Sequence, residues 1–408
     1  IAKYRVYTNA VKYDGGYVIG SMGSGLLLFD QNYQFIRTID QETNNLQNNL
    51  VYSLGLDRDG SAWVGGGNGI SRVGLASEVS YWDQDSGLKG TVNWIKRFKD
   101  RLYVATSAGT FMFDGNQPIE IPRVTETQCW HMMPYTNPEN PDDKRLLLST
   151  GLIWEIEEAT VKPVMQFPHI GTVFKMYLDK QNPYRVWLAF SNGVGSMRFD
   201  TSGITPRWVY EGRIEDAEDN CRSIAQSPNG DIWIGTFRNG VIRLKKKAGE
   251  GEMDYEVIKY KEEQGLLSTK NVIIYEAIGD IIFGTDKGLC SYNSKTDKFE
   301  PYTKFGEEYS DGSKDIFSLQ EDAKGNVWMC GLFNNSSPGV VAEYQIDGTF
   351  KINNNPFKNA PPMMVLGMTI EPDGTAWLGG SEGVFRYKSN PSISKSDADY
   401  HALIRRVT

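Results

Sequence analysis

The sequence predicts an all-β fold, a β-propeller of four-stranded antiparallel blades. Three observations carry this. First, one short pattern recurs along the chain. It is clearest as Asp57-Arg58-Asp59-Gly60-Ser61-Ala62-Trp63-Val64-Gly65-Gly66 and Ser227-Pro228-Asn229-Gly230-Asp231-Ile232-Trp233-Ile234-Gly235-Thr236, and again as Asp322-Ala323-Lys324-Gly325-Asn326-Val327-Trp328-Met329-Cys330-Gly331 and Glu371-Pro372-Asp373-Gly374-Thr375-Ala376-Trp377-Leu378-Gly379-Gly380. Second, the copies are spaced about 45 residues apart, a period that belongs to solenoids, propellers or arrays. Third, each copy holds short alternating runs joined by Asx-Gly turns, a strong hairpin signal because both turn residues need positive φ. Helical periodicity is almost absent.

One unit shows how the elements follow. Val51-Tyr52-Ser53-Leu54-Gly55-Leu56 alternates and runs into the turn at Asp59-Gly60. Ala62-Trp63-Val64-Gly65 is the second strand. A turn at Asn68-Gly69 leads to Ile70-Ser71-Arg72-Val73, and Val79-Ser80-Tyr81-Trp82 is expected to close the unit. Four short strands per unit of this length describe a propeller blade. Nine repeat units begin near Tyr7, Tyr52, Asn93, Trp130, Phe174, Arg222, Ile273, Phe317 and Leu366. Their even spacing favours one ring of nine. The alternative is a seven-blade ring plus two blades of a second ring, since rings commonly hold about 4–8 blades. Residues 1–390 are thus expected to be propeller repeats. Residues 391–408 form a C-terminal tail, in which Ala402-Leu403-Ile404-Arg405-Arg406-Val407 is either the closing strand of unit nine or the start of a following β-sandwich domain.

The 408 residues leave room for a large core or several domains, and the net charge of −8 comes without a basic stripe. Nucleic acid is therefore not an expected partner. Cys129, Cys221, Cys290 and Cys330 fall in predicted strands without metal-ligand spacing, so they read as small apolar fillers. No apolar run approaches the roughly 20 residues that span a membrane. A chain opening at Ile1 reads as a processed chain or as a piece of something longer.

Leu267-Ser268-Thr269-Lys270-Asn271-Val272-Ile273-Ile274 at the start of a unit, Ile232-Trp233-Ile234-Gly235-Thr236 in its centre and Gly288-Leu289-Cys290-Ser291-Tyr292-Asn293 after the second turn carry a family pattern. The unit resembles the two-component regulator propeller repeat, over most of the chain and most weakly in units one, four and five. The resemblance implies a periplasmic sensor region of a membrane-spanning regulator of Bacteroidetes type, often a hybrid histidine kinase. It implies a small glycan or related ligand, a homodimer by family analogy, and attachment to the membrane only through segments outside this sequence. Leu403-Ile404-Arg405-Arg406-Val407-Thr408 is similar to the junction before the Tyr-rich sandwich domain that usually follows. The family typically pairs two seven-blade rings, and nine units depart from that.

Trp63, Trp187, Trp233, Trp328 and Trp377 share one repeat position, which points to packing between blades. The Asp-Gly turns are not glycosidase Asp-boxes, because Arg58, Pro228, Ala323 and Pro372 stand two residues before the turn glycine. Functional candidates are the residues that break the repeat. Trp130 and His131 open unit four, with Trp94 in the unit before. An aromatic beside a histidine on an inner strand suits stacking against a sugar, and equally suits a filled channel wall. Phe237, Arg238 and Asn239 occupy a turn where other units carry small residues. Phe333, Asn334 and Asn335 lie in an inserted loop, a usual place for function on a rigid scaffold. Arg222 could meet a carboxylate or sulfate, or pair with the acidic run Glu215-Asp216-Ala217-Glu218-Asp219. The segment Asn137 to Lys144 is expected to be a long hairpin loop whose acidic residues could hold a cation. His131, His169 and His401 are the three histidines and lack catalytic or metal spacing. No catalytic residue, metal ligand or cofactor is expected. The expectation is a non-enzymatic sensor, with a propeller polysaccharide lyase or hydrolase, or a cell-envelope interaction scaffold, as alternatives.

Overall fold

Each repeat becomes a four-stranded antiparallel sheet, nine sheets in all among the described residues. The computed structural model describes residues 6–407 apart from 14, 59, 76–77, 116, 166–170, 248–250, 252, 333–336, 359 and 390–402. Alternation along each strand gives every blade two apolar faces, and neighbouring blades bury them against each other. The turn glycines do what the sequence requires. Gly230, Gly325 and Gly374 sit at φ of 91°, 80° and 86°, the left-handed region open to a residue without a Cβ.

Seven blades close into a ring. Their inner strands are Val92–Phe98, His131–Asn137, Val173–Leu178, Cys221–Gln226, Ile273–Ala277, Asp315–Glu321 and Val365–Ile370. Each touches the next, and Val365–Ile370 returns to Val92–Phe98. Apolar clusters repeat the circuit. The one that joins the ninth unit to the third holds Trp82, Val92, Ile95, Phe111, Trp377 and Val384. At this seam the two inner strands approach so closely that a Cβ on Gly367 would lie 2.8 Å from the Trp94 Cα.

The single ring of nine is therefore corrected in favour of the alternative, because units one and two stand outside the circuit. They pack on one another through their own cluster, which includes Val18, Leu28, Val51, Leu54 and Val64. Two strand exchanges explain why even spacing hid the break. Val79–Trp82, expected to close unit two, instead pairs with Gly383–Tyr387 and completes blade nine. Leu403–Val407 pairs with Gly69–Gly74 and takes the vacated fourth place in unit two, not a place in unit nine. An outer strand borrowed from far along the chain locks the ring without shifting the period.

The shared tryptophans are architectural. In four of the five the indole N–H donates to a carboxylate placed before the turn: Trp187 to Asp179 Oδ2 at 2.9 Å, Trp328 to Asp322 Oδ2 at 3.1 Å, Trp377 to Glu371 Oε1 at 2.9 Å. Trp63 keeps the same bond to Asp57 at 3.0 Å, but it is 39% exposed, whereas Trp377 is completely buried. The difference follows from position, since no blade of the described residues covers that face of unit two. All four cysteines are buried free thiols. Cys129 lies just before its strand rather than within it. The segment at Asn137 is no long loop either. Strands His131–Asn137 and Asn140–Ser149 extend to pair Asn137 with Asn140 across a tight turn.

Candidate functional site: the mouth and channel of the seven-blade ring

The inner strands line a central cavity of about 450 Å³. That is the size range of small-molecule sites. A regular defect decides which side chains face it. In five of the seven inner strands one residue is skipped in the pairing with the second strand: Asn93, Phe174, Arg222, Phe317 and Leu366. All five line the cavity. A β-bulge leaves one residue unpaired and re-aims its side chain, so the same irregularity at the start of five inner strands builds a ring of side chains at one mouth. In unit two the skipped residue is Tyr52, which is exposed.

Arg222 is the centre of this ring. Its guanidinium carbon lies 3.8 Å from the Phe174 ring centroid, 4.9 Å from Phe237 and 5.7 Å from Trp130. Trp130 and Phe174 meet edge to face, 4.8 Å apart. Nε donates to Asn220 Oδ1 at 2.7 Å. The ion pair with the acidic run does not form. Asp219 instead accepts from Asn239 Nδ2, and Arg222 has no carboxylate partner among the described residues. Burial alone pulls its guanidinium below the usual value.

The structure thus brings together Trp130, just before an inner strand, Arg222, at the bulge of another, and Phe237, in a turn, and adds Phe174. Phe174 was missed because one aromatic at a strand start looks like core; the bulge that exposes it leaves no mark in a single sequence. Arg238 is exposed, with its guanidinium carbon 5.3 Å from the Phe237 ring centroid. The Asn239 side chain is tied to Asp219, and its amide donates to Thr236 Oγ1. Trp94 and His131 form a deeper pair with rings 4.3 Å apart. His131 is buried, and its Nδ1 accepts from the Met176 amide at 3.3 Å. Burial, then Lys175 and Lys96, hold the imidazole well below its ordinary pKa, so it is neutral. Phe333, Asn334 and Asn335, together with His169 and His401, lie outside the described residues. Among those described, no cluster of metal-ligating groups occurs, and Asp143 is engaged by Arg145 at 2.9 Å.

Lys96 and Lys175 stand further down the channel. The Lys175 ammonium lies over the Trp94 ring at 4.0 Å. Burial and the neighbouring Lys96 bring its pKa down to about 7. Glu276 is the one carboxylate among the residues lining the cavity. It is committed to Lys180 at 2.8 Å and to the Tyr177 hydroxyl at 2.6 Å. A groove of about 640 Å³ between blades six and seven is larger, but its charges are matched. There Arg243 pairs with Asp231 at 2.6 Å and donates to Tyr292.

Blades seven and eight present an acidic pair. Asp286 and Asp315 each have a buried Oδ1 without a hydrogen-bond partner. Burial, and then Asp286, push the Asp315 carboxyl up to about 6. A carboxyl raised on folding holds its proton better in the folded state, so its contribution is present below the unfolded pKa of about 4 and is lost as pH rises through about 6. Asp315→Asn is therefore expected to raise thermal stability at pH 7 by on the order of 1 kcal/mol after allowing for solvent screening. The gain should vanish near pH 4. Melting curves of both proteins across this window check it, and an equal difference at both pH values would refute it.

No family model and no curated protein matches the chain. Among solved structures, the extracellular domain of the hybrid two-component system BT3049 from B. thetaiotaomicron is similar with a TM-score of 0.67 at 20% identity, over 94% of this chain and 51% of that one. The extracellular domain of BT4673 from the same organism gives 0.57 at 14%, covering 95% and 54%. PorZ, a surface component of the type-IX secretion system of Porphyromonas gingivalis, gives 0.53 at 14%, covering 94% and 57%. The chain spans about half the length of these neighbours. At such identities the likeness establishes the fold, a β-propeller shared with extracellular sensor domains. No helix among the described residues is long and apolar enough to cross a membrane.

Proposed function

We propose that this chain is the extracytoplasmic ligand-sensing propeller of a two-component-type regulator, and that it binds a small oligosaccharide or related ligand at the mouth of the seven-blade ring. The observation that carries the reading is the set of rings from Trp130, Phe174 and Phe237 around Arg222, set over a cavity of ligand size. Flat apolar faces beside polar tips are what a pyranose ring needs, since its C–H face stacks and its hydroxyls hydrogen-bond. The sensor neighbours support the class of function. Calorimetry of the purified chain against an oligosaccharide panel should find one saturable ligand, weakened at least tenfold by Trp130→Ala. Absence of binding across a broad panel would overturn the glycan reading.

A propeller hydrolase or lyase is the second reading. The Asp286–Asp315 pair favours it, because a carboxyl held near 6 beside a second carboxylate is the pattern of acid–base chemistry. Incubation with the same panel separates the two, since a sensor releases no cleavage product.

A further inference from the structure

Four arginines set between blades of the ring are ion-paired, and three cations that line the channel are not. The matched ones are Arg97 with Glu371 at 2.5 Å, Arg145 with Glu155 at 3.0 Å, Arg185 with Glu211 at 2.7 Å and Arg243 with Asp231 at 2.6 Å. The unmatched ones are Lys96, Lys175 and Arg222. All three line the same cavity, and among the described residues none is within ion-pair distance of a carboxylate. The groups facing Lys175 are Lys96 from blade three, neutral His131 from blade four, Arg222 from blade six, and Tyr275 with the engaged Glu276 from blade seven. Blades eight and nine contribute Ser318, Gln320, Met368 and Thr369, which are uncharged. Unmatched charge in a half-buried channel opposes folding, and a site that retains it is arranged for something else.

We propose that the ligand of this channel is anionic, and that its carboxylate or sulfate group enters past Arg222 and is held between Lys175 and Lys96. This rests on the reading of the ring as a ligand sensor and adds the charge class of the ligand. Arg222 offers a planar fork at the mouth, suited to two oxygens of one anion. The lysines, deeper in, supply point charge where little water competes. A consequence is coupling to protons. Lys175 is only partly protonated in the free protein near pH 7, because burial and Lys96 depress it. An anion beside it favours the ammonium, so binding should take up a proton and weaken as pH rises above 7.

The test is calorimetry with three probes: a uronic-acid trisaccharide, the same trisaccharide as its methyl ester, and inorganic sulfate. Titrations run at pH 7.5 in two buffers of different ionisation enthalpy. The acid is expected to bind at least tenfold more tightly than the ester, with proton uptake, and its affinity should fall about tenfold between pH 6 and pH 8.5. Lys175→Met and Lys96→Met should each remove most of this preference, and Lys175→Met should abolish the proton uptake. Neither should lower the melting temperature at pH 6, where both lysines are unmatched charges. Equal binding of acid and ester without proton uptake overturns the anionic ligand and leaves the sensor standing. Binding of sulfate but of neither trisaccharide overturns the glycan and keeps the anion site. No binding of any probe overturns both.

Discussion

Trp82→Ala is expected to open the ring. Trp82 stands on the strand Val79–Trp82, which comes from the N-terminal side of the ring and completes blade nine at its far end. Its side chain is completely buried, with ring centroids 5.4 Å from both Trp377 of blade nine and Phe113 of blade three. One residue therefore joins the borrowed strand to both blades at the seam. Truncating a buried tryptophan costs about 3–5 kcal/mol from lost burial and the cavity left behind. Here the loss falls on the contact that turns a row of seven blades into a closed ring. Repeat arrays gain cooperativity from neighbour interfaces, so the seam should loosen first. Trp63→Ala is the control. It removes the same residue type, but from the second strand of unit two, where the side chain is partly exposed, and should cost less than half as much. Thermal unfolding, with hydrogen exchange followed at Val79–Trp82 and Gly383–Tyr387, measures both. Equal losses from the two substitutions would show that the seam is not the weak point.

How much of this was legible in the sequence depends on whether the information was local. The blade was legible, because strand alternation, Asx-Gly turns and the tryptophan shared by five of the nine repeats are properties of short segments. Ring closure was not. Val79–Trp82 looks like the fourth strand of unit two, and nothing within those four residues says that their partner is Gly383–Tyr387. The period stays near 45 because the exchanged strands fill equivalent places. The site was half legible. Trp130, Arg222 and Phe237 stood out by breaking the pattern, and they meet. Phe174 did not stand out, since its significance comes from a bulge shared by five inner strands. Lys96 and Lys175 were silent for a different reason. A lysine on an alternating strand reads as a solvent-facing residue, and only the ring turns those positions inward. The acidic run near Arg222 misled because proximity in sequence suggested a partner that the bulge points away from.

Arg222→Ala should separate binding from stability. In a structural ion pair the two fall together, because removing one charge strands the other. Among the described residues Arg222 has no such partner to strand. What it leaves is one hydrogen bond to Asn220 and three ring contacts. Cation–π contacts contribute about 0.5–1 kcal/mol where solvent reaches them and about 2 when desolvated. Against this stands the cost of holding a guanidinium away from water, the same burial that depresses its pKa. The net effect on folding should stay within about 1 kcal/mol. Affinity for the ligand should fall at least tenfold, since the substitution removes both the charge at the mouth and the group that spaces Trp130, Phe174 and Phe237. Arg222→Lys should recover little, because an ammonium keeps the charge but not the flat surface that lies on Phe174. Melting curves read beside calorimetric affinity decide the matter. A large loss of stability with affinity retained would make Arg222 a strut of the ring wall. The expected opposite makes it a contact for whatever enters the channel.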